Sequence, residues 1–108
     1  MSDVYVPSAM KGKKRKDLTL QDCVYLLLRR GRYMTFWEIQ DLVKAKTNKF
    51  YSENSISAAI RALRLEGSRS YYELQPYGEV VVKRRKARSK AYEYKLADDA
   101  MIRSRNGI

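Results

Sequence analysis

Six cations within eight residues, Lys83, Arg84, Arg85, Lys86, Arg88 and Lys90, are the densest chemistry in this chain. No acidic residue interrupts the run, so its charges repel one another, and a phosphate backbone would relieve that repulsion. A second run, KGKKRK at residues 11–16, adds five more in Lys11, Lys13, Lys14, Arg15 and Lys16. Between the two lies SENSISAAIRALRLEG, residues 52–67. There Ile56, Ala59, Ile60 and Leu63 repeat at helical spacing. The opposite face holds Asn54, Ala58 and Arg61, with Ser57 and Arg64 beside it. A small, polar and basic face of this kind suits a helix lying in a DNA groove, and equally an ordinary surface helix.

Covalent and metal chemistry are poorly served. The chain has no histidine and one cysteine, Cys23, which argues against zinc and against a Cys–His pair. Its acidic residues are scattered, and no Gly-rich phosphate loop or nucleophile–base set appears. The adjacent Asp98 and Asp99 read as a cap or as solvated charge. An enzyme, a cofactor and a bound metal are therefore not expected. The formal charge of +11 and pI near 9.9 favour a polyanionic partner, nucleic acid first and an acidic membrane surface second. No apolar run is long enough to span a bilayer, and the N-terminus lacks the apolar segment of a signal peptide. Cys23 among apolar neighbours reads as a core thiol in a reducing compartment.

The elements that must position these residues fit one domain of 108 residues, enough for three helices and a small sheet. Thr19 with Asp22 predicts a first helix. Leu20, Val24, Leu27 and Leu28 form its core stripe, Cys23 lies on its flank, and Gly31 stops it. Thr35 with Glu38 predicts a second helix to about Lys46, with Phe36, Ile39, Leu42 and Val43 inward and Trp37 at the rim. Ser52 caps the third, which Gly67 is expected to end. Residues 68–78 are irregular. Tyr71, Tyr72, Leu74 and Tyr77 should fold back over the third helix and cover Leu65. A short strand at residues 33–34 is expected to pair there. Residues 79–96 predict a β-hairpin, with Tyr92, Tyr94 and Leu96 on its buried face and Glu93 and Lys95 on the other. Residues 1–17 read as a flexible basic arm and residues 97–108 as a short tail. The arm suits a solubilising tail, a strand along phosphates or in a minor groove, or a nuclear address.

From about residue 18 to 96, the order of elements resembles the winged-helix family of helix-turn-helix domains. The most specific stretches are FYSENSISAAIRALR at residues 50–64 and VVKRRKARSKAYEYKL at residues 81–96. The second is similar to the wing of small winged-helix proteins encoded in phage and prophage genomes. The resemblance implies an α+β fold of three helices and a basic two-stranded wing. It also implies a double-stranded DNA-binding protein of the bacterial or phage-infected cytoplasm, a transcriptional regulator or a replication or recombination accessory. The third helix would enter the major groove, with Asn54, Ser55, Ser57, Ala58 and Arg61 able to reach base edges. Arg64 would meet phosphate. The wing cations, Lys83 to Lys90, would contact an adjoining phosphate backbone or the minor groove, and the arm cations Lys13, Lys14, Arg15 and Lys16 would neutralise phosphates farther along. Such contacts position a protein without reading sequence.

Two other classes stay open: a winged helix that binds an acidic protein, and an RNA-binding module. RNA modules expose aromatics on a sheet to stack bases, whereas Tyr92 and Tyr94 read as buried. The sequence does not fix the oligomeric state.

Overall fold

Thr19 and Thr35 each open a helix in the same way. Each hydroxyl accepts the amide N–H three residues on, and the acidic side chain there accepts the threonine's own N–H. In the computed structural model, which describes residues 7–101, these reciprocal caps start α1 (Leu20–Leu28) and α2 (Phe36–Thr47). Past α1, Gly31 takes φ +87°, a left-handed conformation that favours glycine. Asn48, at φ 63°, closes α2 in the same region. Ser52 caps α3 (Glu53–Ala62) by accepting the N–H of Ser55. The apolar stripes face inward as their spacing requires: Val24, Leu27 and Leu28, then Ile39 and Val43, then Ile56, Ala59, Ile60 and Leu63 are all buried.

The third helix ends earlier than expected, at Ala62, and a fourth follows. In α4 (Glu66–Tyr71), Gly67 is an ordinary helical residue and stops nothing. The break lies at Arg64. Its carbonyl oxygen accepts a hydrogen bond from Arg69 Nε at 2.8 Å, outside any helical ladder. The same guanidinium donates to the carbonyls of Gln75 (3.1 Å) and Gly78 (2.9 Å), so Arg69 gathers the loop into the hairpin around itself. Leu65 stays 63% exposed and is not covered by residues 71–77. Of the side chains expected to fold over it, Tyr72 goes elsewhere, its ring stacking on buried Tyr25 at 4.7 Å. Truncating Arg69 to alanine should cost about 2 kcal/mol, because three carbonyls lose a charged donor. Arg69→Lys should recover little of it, since an ammonium lacks the planar fork. Urea unfolding reads the loss, and an unchanged midpoint would mean that packing alone holds the loop.

Strands β1 (Val81–Arg85) and β2 (Tyr92–Leu96) pair antiparallel, in a register running from Val81 opposite Leu96 to Arg85 opposite Tyr92. The short strand expected near residue 34 exists as one bridge, with a different partner. Met34 exchanges backbone hydrogen bonds of 2.9 and 2.8 Å with Tyr94, so β2 is flanked by β1 on one edge and by this single bridge on the other. Its expected partner region instead bridges the C-terminal segment, through Leu74 and Met101 and through Gln75 N–H to Ala100 O. The architecture among the described residues is α+β, with four helices and a two-stranded antiparallel sheet.

Packing also extends past both expected boundaries. Residues 8–10 and 15–17 form single 3-10 turns, and Met10 joins the core. Ala100 is buried at the other end. Residues 7–17 therefore lie against the domain, where a flexible arm was expected. Residues 1–6 and 102–108, the remainder of the expected arm and tail, lie outside the described residues. Cys23 is a buried free thiol, and burial raises its pKa.

Candidate nucleic-acid interface

The outer face of α3 is available. Asn54, Ala58 and Arg61 are exposed, while Ser55 and Ser57 are half-buried. Ser55 serves the helix start, receiving a hydrogen bond from the Ser52 hydroxyl at 3.2 Å. Arg61 Nη1 donates to Ser57 Oγ, one turn back, at 2.8 Å. This bond steadies the guanidinium along the helix and leaves its other donors facing solvent. Arg64 departs from its expected role. Its Nε meets Glu79 Oε1 at 3.2 Å and its Nη2 donates to Val81 O at 3.2 Å. Arg64 is thus a tie from the end of α3 to β1, with Nε and Nη2 engaged by the protein itself. It fixes the base of the hairpin one turn beyond Arg61.

Strand alternation sorts the hairpin cations onto two faces. Lys83 and Arg85 share a face with Tyr92, and their charged groups lie 4.7 and 5.8 Å from its ring centre. Tyr92, expected to be buried, is 40% exposed. The apolar support of this face ends one pair earlier, where the Tyr94 ring stacks on Phe36 at 4.9 Å. On the other face Arg84 Nε reaches Glu93 Oε1 at 3.0 Å, and Lys86 Nζ lies 3.8 Å from Glu93 Oε2. Glu93 is itself only 9% exposed. Arg84 also lies over the Tyr33 ring at 3.9 Å, with Lys95 nearby at 5.2 Å.

The run of six charges is uninterrupted along the chain, yet a carboxylate sits across the ladder from it. Four cations, Lys83, Arg85, Arg88 and Lys90, have no carboxylate within 4 Å among the described residues. Arg88 sits at the hairpin tip with φ 60°. The alternation of EVVVKRR and AYEYKL carries this information, but only once the turn position fixes Arg84 opposite Glu93.

The arm divides too. Lys13 Nζ is paired with the Asp22 carboxylate and hydrogen-bonded to Tyr71 Oη, so it turns into the domain and leaves the set of free cations. Lys14 and Lys16 are exposed, and Arg15 belongs to the second 3-10 turn. Among the described residues, no group of three or more His, Cys, Asp or Glu could hold a metal ion. No helix among them is long and apolar enough to cross a membrane. The site thus offers a polar helix face that carries Arg61, a hairpin with four unneutralised cations, and Arg64 tying the hairpin base to the end of α3. Comparison of this chain with protein-family models, with curated proteins and with solved structures finds no match.

Proposed function

We propose that the protein binds double-stranded DNA as a winged helix, with the N-terminal half of α3 in the major groove and the hairpin tip on an adjoining backbone or in the minor groove. The order of helix, single-bridge strand, helices α2 and α3, the short extra helix α4 and hairpin is compatible with that reading. So is the place of β2 between Met34 and β1. One observation carries the proposal: four hairpin cations have no carboxylate within 4 Å among the described residues, α3 exposes a polar face, and Arg64, just past α3, holds the base of that hairpin through Val81 O. Asn54 and Arg61 are the side chains with base-reading geometry, Asn for adenine and Arg for guanine. The protein then acts as a small transcriptional regulator or as a replication or recombination accessory.

Fluorescence anisotropy on labelled duplexes, with salt varied, tests this. With Lys14, Lys16, Lys83, Arg85, Arg88 and Lys90 on phosphates, log K against log salt should slope near −5, since each contact contributes about −0.9. Arg61→Ala should weaken a sequence selected from random duplexes by about 1–3 kcal/mol and random DNA by much less. Equal losses on both would remove Arg61 from base reading. A second reading, RNA, gains one observation in Tyr92, whose exposed ring between two cations can stack an unpaired base. Tighter binding of single-stranded RNA than of duplex DNA in direct competition would favour it.

A further inference from the structure

The 3-10 turn at residues 15–17 packs against the C-terminal end of α2, and the two enclose an open groove of about 500 Å³. Lys16, Lys46 and Lys49 line it, with Asn48 and Tyr51 completing the wall. We infer that this groove holds a phosphate of the DNA backbone on the N-terminal side of α3. The inference rests on the DNA reading above and adds Lys46 and Lys49 to it.

The charge is the first reason. Three lysines from two distant parts of the chain, Lys16 and the neighbours Lys46 and Lys49, line one groove, and none has a carboxylate within 4 Å among the described residues. Asp17 adjoins Lys16 in sequence but does not line the groove. Cations near a helix C-terminus do favour its dipole, and Lys44 and Lys46 in the last turn of α2 already fill that role. Lys16 and Lys49 come from outside the helix. The Thr47 hydroxyl is occupied, donating to Val43 O at 2.8 Å and accepting the Lys49 N–H at 3.2 Å. An anion is the ligand that this cluster lacks.

Position is the second reason. Gln40, buried in α2, donates to Tyr51 O at 3.0 Å and so fixes the residue just before the Ser52 cap. The groove therefore adjoins the start of α3, while Arg64 anchors the hairpin near its end. A helix of this length spans about 15 Å, close to the major-groove width of about 12 Å. The lysine groove at the start of such a helix and the hairpin anchored near its end would then each meet one of the two backbones that border the major groove.

The test compares K46Q/K49Q with R30Q/R32Q, which removes the same charge at the far end of α1, on labelled duplex DNA. At about 0.15 M salt the groove variant should bind about 10-fold more weakly, with a salt slope shallower by about 1, the share of one phosphate. The control should change by less than about threefold, and K46R/K49R should keep wild-type affinity, confirming that the folded surface is intact. In phosphate-ethylation interference, K46Q/K49Q should lose sensitivity at positions that a hairpin variant retains. Wild-type binding by K46Q/K49Q, or equal loss in R30Q/R32Q, overturns the groove and leaves the DNA reading standing. Failure of the wild-type protein to bind duplex DNA overturns both.

Discussion

Replacing Asp22 with alanine is expected to remove about 3 kcal/mol of folding stability, a large part of the 5–15 kcal/mol that a domain of this size commonly has. The Asp22 side chain is only 1% exposed. Its carboxylate accepts from Lys13 Nζ, from Tyr72 Oη at 2.6 Å and from the Thr19 N–H at 3.0 Å. One carboxylate thus holds the start of α1, the turn that carries Lys13, and the segment after α4. Removing it leaves a buried phenol and a partly buried ammonium without their acceptor, which costs more than the bonds contribute in net.

Asp22→Asn preserves the shape but not the charge, so it should fall between wild type and alanine. Burial alone would raise the Asp22 pKa; the bonds from Lys13, Tyr72 and the Thr19 amide outweigh it and hold the carboxyl below its ordinary value. A depressed carboxyl gives stability that is complete above its unfolded-state pKa and is lost as pH falls through its folded-state pKa. The wild-type protein should therefore weaken in acid, and Asp22→Asn should weaken less steeply there. Glu38, lowered chiefly by the Thr35 N–H, adds to the same acid limb. Urea unfolding between pH 2 and pH 7 separates these contributions. An alanine variant as stable as wild type would show that the network adds nothing.

The second large effect concerns binding. Neutralising Lys83, Arg85, Arg88 and Lys90 together should weaken duplex binding by about a hundredfold or more at about 0.15 M salt and flatten the salt slope by about 3 to 4. Neutralising Arg84 and Lys86 should cost less per charge, because the Glu93 carboxylate already offsets one of the two. Glu93→Gln should then strengthen binding, since it frees both cations for phosphate. The fourfold variant should fold at least as stably as wild type, for it removes like charges from a small hairpin. Unfolding and anisotropy on the same samples thus keep the two effects apart. Equal losses from the two cation sets would dissolve the distinction between the faces.

Much of the fold was legible in the sequence because it is set locally. Both capping boxes, the Ser52 cap, the apolar stripes and the hairpin depend on residues within a few positions of one another, and all form as their spacing predicts. The tertiary structure decided what depends on distant partners. It ended α3 early, where Arg69 takes the Arg64 carbonyl and Arg64 itself is drawn to Val81. It gave Met34 its partner in Tyr94, and it turned Lys13 inward to Asp22.

The clearest case is the hairpin. Composition alone makes its six charges equivalent, and the strand register makes them unequal by setting Glu93 opposite Arg84. Charge count is a property of the chain. Which charges remain free depends on which side chains the fold brings within reach of a carboxylate, and Asp22 with Tyr72, fifty residues apart, is the same lesson in the core.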